Sequence, residues 1–328
     1  MNFNHSASII KLHNCQALVN TPFAKYNFCA MAKKPRKITK AVIAAAGYGT
    51  RFLPATKNQP KEMLPIIDKP IIHYVVEECV ASGITDIIIV CRFGQQIMED
   101  YFDNHSELEH YLLSNGKKSS LEKIIHIPEM ANFIYVRQKK NLPYGNGSPL
   151  LAVKNLIDDD EAFAFLFGDD LVKSKTPSIK QLIDIYEKHH PAAVLAVQEE
   201  PWEEVKRYGA IRYKKDTTIN QIEEIVEKPE VENAKKRLSN KVQFGRFIFS
   251  YKVIEALGKI PLGKGGELWI TDAMNYLAQK DVVIAQPIEG KWLTTGDPLR
   301  YLKATVEYAL EREDLGKSFK EYLKSKIA

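Results

Sequence analysis

"AAAGYGTRFLPATKNQPKEMLP", residues 44–65, decides the reading of this chain. It completes an apolar run at 41–46 and then presents two glycines, two threonines, Arg51, Lys57 and Lys61. A strand feeding a small-residue, cationic loop suggests a phosphate-binding turn. A Walker loop needs G-x-x-x-x-G-K-[ST], but the sixth position counted from Gly47 is Phe52. A dinucleotide fingerprint, G-x-G-x-x-G, fails at the same phenylalanine, which would block the backbone from approaching a pyrophosphate. What remains is G-x-G-T-R followed by a proline-rich stretch, which holds the chain extended and stiff rather than turning it straight into a helix. Such a loop is expected to lie over its ligand. Ala45, Ala46, Gly47 and Gly49 would bring backbone N–H groups close to anionic oxygens, while Arg51 offers a planar fork and Lys61 a point charge. This suits a triphosphate, although on spacing alone a plain glycine turn with solvated cations stays open.

Outward from this loop, short apolar runs at 41–46, 87–90, 133–136, 163–167 and 193–197 read as strands. Helical patterns separate them: one opens at Pro70, continues through Cys79 and stops near Gly83, and another opens at Pro177 and continues through Tyr186. Strands apolar on both faces and separated by helices imply an α/β fold with a mostly parallel sheet covered on both sides. After Pro201 the texture changes. Runs at 209–213 and 219–226, joined by "KKDTT", and a further strand in "NKVQFGRFIFS" (240–250) suggest a smaller mixed or antiparallel addition. From Leu299 onward the pattern is two charged amphipathic helices broken at Gly316.

The chain has 328 residues, 45% of them hydrophobic, and contains no apolar run of the roughly 18–20 residues that a membrane-spanning helix needs. Its formal charge of +5 has a local source: residues 1–40 carry seven Lys or Arg and no acid, leaving 39 basic against 41 acidic residues in the rest. A nearly neutral body argues against a nucleic-acid partner and a membrane partner, and confines positive function to a few placed residues. Residues 1–38 lack the apolar centre of a secretory signal and the Arg and Ser content of a transit peptide. They are expected to be a disordered or non-native extension, leaving residues 39–328 as the folded part. Cys15, Cys29, Cys79 and Cys91 show no C-x-x-C spacing, so reduced thiols and a cytoplasmic location are expected.

The stretch "GYGTRFLPATKNQPKEMLPIIDKPIIHYVVEECVASGITDIIIV" (47–90) resembles the opening of bacterial UTP:glucose-1-phosphate uridylyltransferases, or UDP-glucose pyrophosphorylases. The likeness continues in order through "VRQ" (136–138), "FGDD" (167–170), "YGAI" (208–211), "VEKP" (226–229), "FGRFIFS" (244–250) and "GGELWITDA" (265–273), covering about residues 39–325. The resemblance implies a Rossmann-like nucleotidyltransferase fold whose smaller addition binds sugar. It also implies that UTP and glucose 1-phosphate become UDP-glucose and pyrophosphate. Carried onto this chain, Ala45, Ala46, Gly47, Gln138 and Gly145 would hold uracil and ribose, the Gln138 amide matching the O4 and N3–H edge of the base. Gly209, Glu227, Lys228 and Glu267 would shape the sugar pocket. Asp169 would hold Mg²⁺, the cation that makes a carboxylate tolerable beside a triphosphate. Arg51, Lys61 and Asp169 would be the catalytic set, and Asp170 is expected to be structural.

The chain departs from the family pattern at "KKNLPYGNGSP" (139–149) and at "KWLTTGDPLRY" (291–301). In the second, Thr294 stands where the family often has a metal-binding aspartate, so a single ion is expected, with Asp297 a remote candidate for another. The oligomeric state is open, a homo-oligomer included. The alternatives are a sister enzyme using dTTP or another sugar 1-phosphate, and a nucleotide-sugar sensor without turnover. A dehydrogenase is disfavoured by the failed glycine fingerprint.

Overall fold

The computed structural model describes residues 36–231 and 238–327, so most of the expected extension at 1–38 lies outside the described residues. Ile38 is already buried in the core. The strands in chain order are β1 (Lys40–Ala44), β2 (Pro65–Ile66), β3 (Lys69–Pro70), β4 (Asp86–Cys91), β5 (Asn132–Arg137), β6 (Ala162–Phe167) and β7 (Asp170–Lys173), followed by β8 (Ala193–Glu199), β9 (Gly209–Tyr213), β10 (Ile222–Glu227), β11 (Lys241–Ser250), β12 (Val283–Pro287) and β13 (Lys291–Thr294).

β5, β4, β1 and β6 lie side by side and parallel. β11 then runs antiparallel between β6 and β8, and β12 closes the far side parallel to β8. The alternation rule explains why the first strands read as continuously apolar. Ala41 and Ile43 of β1 face one core cluster and Val42 the other; Ile87 and Ile89 of β4 oppose Ile88 and Val90 in the same way. Both faces are covered, so no position is left for a polar residue. Helix Ile71–Ala81, opening at Pro70, and helix Ser178–His189, opening at Pro177, match their expected starts. The closing helices Pro298–Glu311 and Gly316–Ile327 break at Gly316 as expected.

One expectation changes. The strand in 240–250 is no part of a side addition: β11 sits inside the main sheet, paired to both β6 and β8, and its Phe247 and Phe249 are core residues. The antiparallel addition is the β9–β10 pair, which joins the sheet where Val242 and Gln243 of β11 extend past β6. The small β7–β13 pair, which brings Thr294 opposite Asp170, had no signal in periodicity because each strand is four residues long. Among the described residues no helix is long and apolar enough to cross a membrane.

Candidate active site

The carboxyl ends of β1, β5 and β6 open onto one cleft of about 330 Å³, where an open α/β sheet ordinarily receives its ligand. Ala46 and Gly47 follow β1, Gln138 follows β5, and Asp169 follows β6; all four line the cleft, with Lys61, Gly145 and Glu267. The proline-rich loop crosses this opening in three short 3-10 turns rather than a helix, and Lys61 begins the last of them after Pro60. That turn aims the Lys61 ammonium into an ion pair with one carboxylate oxygen of Asp169. A Cβ on Gly47 would lie 3.5 Å from Lys61 Cε, so the loop and the lysine stem are in contact.

The charges under this loop are tightly coupled. Burial works against the Lys61 ammonium, yet Asp169, Glu62 and Asp170 raise its pKa above the ordinary lysine range, so it stays charged. Glu62, wholly buried, is pushed up to about 7 by burial, with Lys61 opposing and Asp169 adding to the shift. Its Oε2 has no hydrogen-bond partner among the described residues. Asp170 is buried and raised, first by burial and then by Asp169. Its Oδ2 accepts the Gly245 N–H at 3.0 Å, which makes it part of the scaffold, as expected.

Strand β6 is held in place from behind. Arg246 of β11, without solvent exposure, donates to Glu78 Oε2 through Nε at 3.0 Å and Nη2 at 2.8 Å, and to the carbonyls of Asp170 and Gly245 at 2.6 and 2.8 Å. Glu78 in turn accepts from Ser178 Oγ and from the Ile179 N–H, capping the start of the next helix. On the front side Thr295 donates through both N and Oγ1 to the Asp169 carbonyl, at 2.9 and 2.7 Å.

A second depression of about 320 Å³ contains Arg51 and Lys228 together with Lys206, Arg207 and Arg300. Gly296 joins the two: a Cβ there would lie 3.4 Å from Asp169 Oδ2 and 3.8 Å from Arg51 Nη1. Arg51 itself donates to the Gly296 carbonyl at 3.1 Å. Asp297, which lines this depression, does not stand free for a second ion. Its Oδ1 caps helix Pro298–Glu311 through the Arg300 N–H, and its Oδ2 takes Arg300 and Arg207. Among the described residues no cluster of three or more His, Cys, Asp or Glu groups could hold a metal.

The remaining sequence-derived residues divide. Gly145 fits only as glycine: its φ is +133°, and a Cβ would stand 2.4 Å from the Leu268 carbonyl oxygen. Ala45 points into the core, and its N–H is spent on the Val90 carbonyl at 2.9 Å, so its neighbours Ala44, Ala46 and Gly47 form the wall instead. Glu227 and Gly209 face each other in the β9–β10 register. The Glu227 carboxyl is pushed up to about 7 by burial, with Lys228 opposing and Asp272 adding. Lys228 lies 4.4 Å above the ring of Trp269, which lines the first cleft. Tyr144, Asn146 and Trp269 were not singled out from sequence. Asn146 falls in the departing stretch 139–149, and its Oδ1 accepts the Ile270 N–H at 2.8 Å, tying that loop to helix Ile270–Ala278. Arg207 and Arg300 carried no signal, because only the fold brings them beside Arg51.

The chain is similar to known proteins along most of its length. The family model for nucleotidyl transferases matches residues 40–311. A UTP–glucose-1-phosphate uridylyltransferase of Bacillus subtilis (strain 168) is 42% identical over 281 residues, 85% of this chain and 94% of the relative. One of Staphylococcus epidermidis is 42% identical over 290 residues, 88% of this chain and 98% of the relative. Among solved structures, a UDP-glucose pyrophosphorylase from Acinetobacter baumannii superposes with a TM-score of 0.79 at 36% identity, covering 88% of this chain and 99% of the other. A UDP-glucose pyrophosphorylase complexed with UDP-glucose superposes with a TM-score of 0.74 at 37% identity, covering 84% and 100%.

Proposed function

The chain belongs to the nucleotidyl transferase family, and from that premise we infer its reaction: it joins UTP to glucose 1-phosphate, giving UDP-glucose and pyrophosphate. The observation that carries this reading is the Lys61–Asp169 ion pair at the mouth of β6, set in one cleft with the Gly47 loop and Gln138.

In this reaction a phosphate oxygen of glucose 1-phosphate forms a bond to the α-phosphorus of UTP as the bond to the β-phosphate oxygen breaks in line, and pyrophosphate departs. The incoming monoester is already an anion near neutral pH, its second pKa being about 6, so no general base is required. The protein's share is positioning and charge neutralisation. Lys61, kept protonated by its acidic neighbours, would sit between the α-phosphate and the incoming phosphate. Arg51, across Gly296 from Asp169, would take the leaving pyrophosphate. Gln138, Gly145 and the backbone at Ala46 and Gly47 would hold the nucleoside, while Glu227, Lys228, Glu267 and Gly209 would hold the sugar phosphate.

The donor set fits a divalent cation. Lys61 engages only one carboxylate oxygen of Asp169, and a hard cation such as Mg²⁺ is commonly held by one or two carboxylates plus substrate phosphates and water. We assign Mg²⁺ to Asp169, where it would neutralise phosphate charge when bound. Residues 39–328 are proposed to be a single catalytic domain, supported by the compact unit Arg36–Ala328. The buried free thiols of Cys79 and Cys91 are consistent with a cytoplasmic protein. The deciding experiment is magnesium-dependent pyrophosphate release from UTP with glucose 1-phosphate, run beside dTTP and other hexose 1-phosphates. Preference for dTTP or another hexose would overturn the assignment of substrates.

A further inference from the structure

The basic depression beside the cleft holds more positive charge than the reaction as described uses. Its wall carries five cationic residues and one carboxylate, Asp297, around about 320 Å³, a volume of small-ligand size. Cations gathered in one concavity repel one another unless an anion joins them, and concave walls focus their field on whatever enters. Arg51 donates to the neutral Gly296 carbonyl at 3.1 Å and pairs with no carboxylate among the described residues. Arg207, in the turn before β9, has a side chain 40% exposed and spends Nη2 on Asp297 Oδ2 at 2.8 Å. Asp297 is itself braced: its Oδ1 caps helix Pro298–Glu311, and its Oδ2 also takes Arg300 Nη1 at 2.6 Å, while Arg300 Nη2 goes to Glu204. The backbone next to Arg207 is tied down as well, because the Tyr208 carbonyl accepts the Lys228 N–H at 2.9 Å. Arg207 is therefore tethered to the wall of the depression and still has donors to spare. The reacting centre is close by, since only Gly296 separates Arg51 from Asp169.

We propose that Arg207 is a second pyrophosphate-binding residue, taking the phosphate of the leaving group that Arg51 does not, with Asp297 and Arg300 as the residues that position it. This rests on the reaction inferred above. Pyrophosphate has two phosphates, and each can accept from the planar fork of one guanidinium. Charge that gathers on the leaving group as its bond to the α-phosphorus breaks then meets cations already in place. Asp297 and Arg300 touch no substrate in this arrangement; they act by holding Arg207 at the wall.

The test uses the full chain in both directions, because the reverse reaction takes inorganic pyrophosphate as a substrate. The parent, Arg207→Gln, Arg207→Lys and Arg300→Gln are compared for the KM of pyrophosphate, for inhibition of the forward reaction by pyrophosphate, and for the KM values of glucose 1-phosphate and UDP-glucose; thermal melting checks folding. Arg207→Gln should raise the KM and the inhibition constant of pyrophosphate about tenfold to a hundredfold, the size of one hydrogen bond to a charged group, and leave the two sugar substrates unmoved. Arg207→Lys, which keeps the charge and loses the fork, should fall between Arg207→Gln and the parent. Arg300→Gln should move the same two constants in the same direction by less. Unchanged pyrophosphate constants in Arg207→Gln, or a rise shared equally by the sugar substrates, would overturn the proposal and leave Arg207 as a surface ion pair. A parent that releases no pyrophosphate from UTP and glucose 1-phosphate would refute the reaction instead. Calorimetric binding of inorganic pyrophosphate, with inorganic phosphate as control, would then judge the site: weaker binding by Arg207→Gln would support it and equal binding would overturn it.

Discussion

Arg246→Met should be among the most damaging single substitutions outside the cleft, and its cost can be worked from the contacts. The guanidinium is wholly buried and supplies two donors to Glu78 Oε2 and one each to the carbonyls of Asp170 and Gly245. Methionine would fill much of the volume but none of these roles. Glu78 Oε1 would keep Ser178 Oγ and Ile179 N–H, whereas Oε2 would be left as a buried charge without a partner. Breaking a buried pair in this way costs about 3–5 kcal/mol, a large share of the roughly 5–15 kcal/mol that holds a typical protein folded. In urea, with a slope of about 3 kcal/mol/M, the unfolding midpoint should fall by about 1 M or more. The double variant Arg246→Met/Glu78→Gln removes the stranded charge and should recover about 1 kcal/mol or more. Because the same arginine fixes the backbone at Asp170, kcat should fall as well, through displacement of Asp169. A loss below about 1 kcal/mol, or a double variant no better than the single one, would refute the view that a stranded Glu78 charge dominates.

Other outcomes follow from the same geometry. Asp169→Asn should abolish magnesium-dependent formation of UDP-glucose while circular dichroism and melting stay near the parent's; unaltered turnover would remove Asp169 from the reaction. Lys61→Met should lower kcat/KM by about 10²–10³, read by pyrophosphate release, as loss of one charge-stabilising donor typically does. Glu227 titrates near 7 in the folded chain against an ordinary 4.5, so between these values the folded state keeps a proton that the unfolded chain has released. Its contribution to stability therefore falls as pH rises through that window, and Glu227→Gln should gain on the parent in urea midpoint from about pH 5 to about pH 7.5. A constant difference across that range would show that the carboxyl is not shifted. Gly145→Ala forces a Cβ into the Leu268 backbone at positive φ, and should destabilise by about 2 kcal/mol or more while raising the KM for UTP.

Much of the fold was legible because its signals are local. The doubly apolar runs of β1, β4 and β6 announce strands buried on both faces, and Pro70 and Pro177 announce helix starts by fixing one backbone angle each. The strand in 240–250 was recognised but misplaced: its pattern states that it is buried, not which neighbours bury it. β7 and β13 were missed because four-residue strands carry too few positions for a period to register. Of the residues expected there, Lys61, from the loop's charge, and Asp169, Gln138 and Gly145, from the family resemblance, line the cleft, while Ala45 lies in the core beside its wall.

The sequence by itself determined the class of fold, the order of the motifs and the chemistry of a cationic loop facing an acidic strand end, since each depends on residues close together in the chain. Tertiary structure decided that Lys61 and Asp169, 108 positions apart, form an ion pair. It also decided that Asp297 is consumed by Arg207 and Arg300, and that both arginines share a depression with Arg51. Spacing along a chain cannot specify such meetings, because they are set by how sheets twist and helices pack over distances that no local pattern encodes.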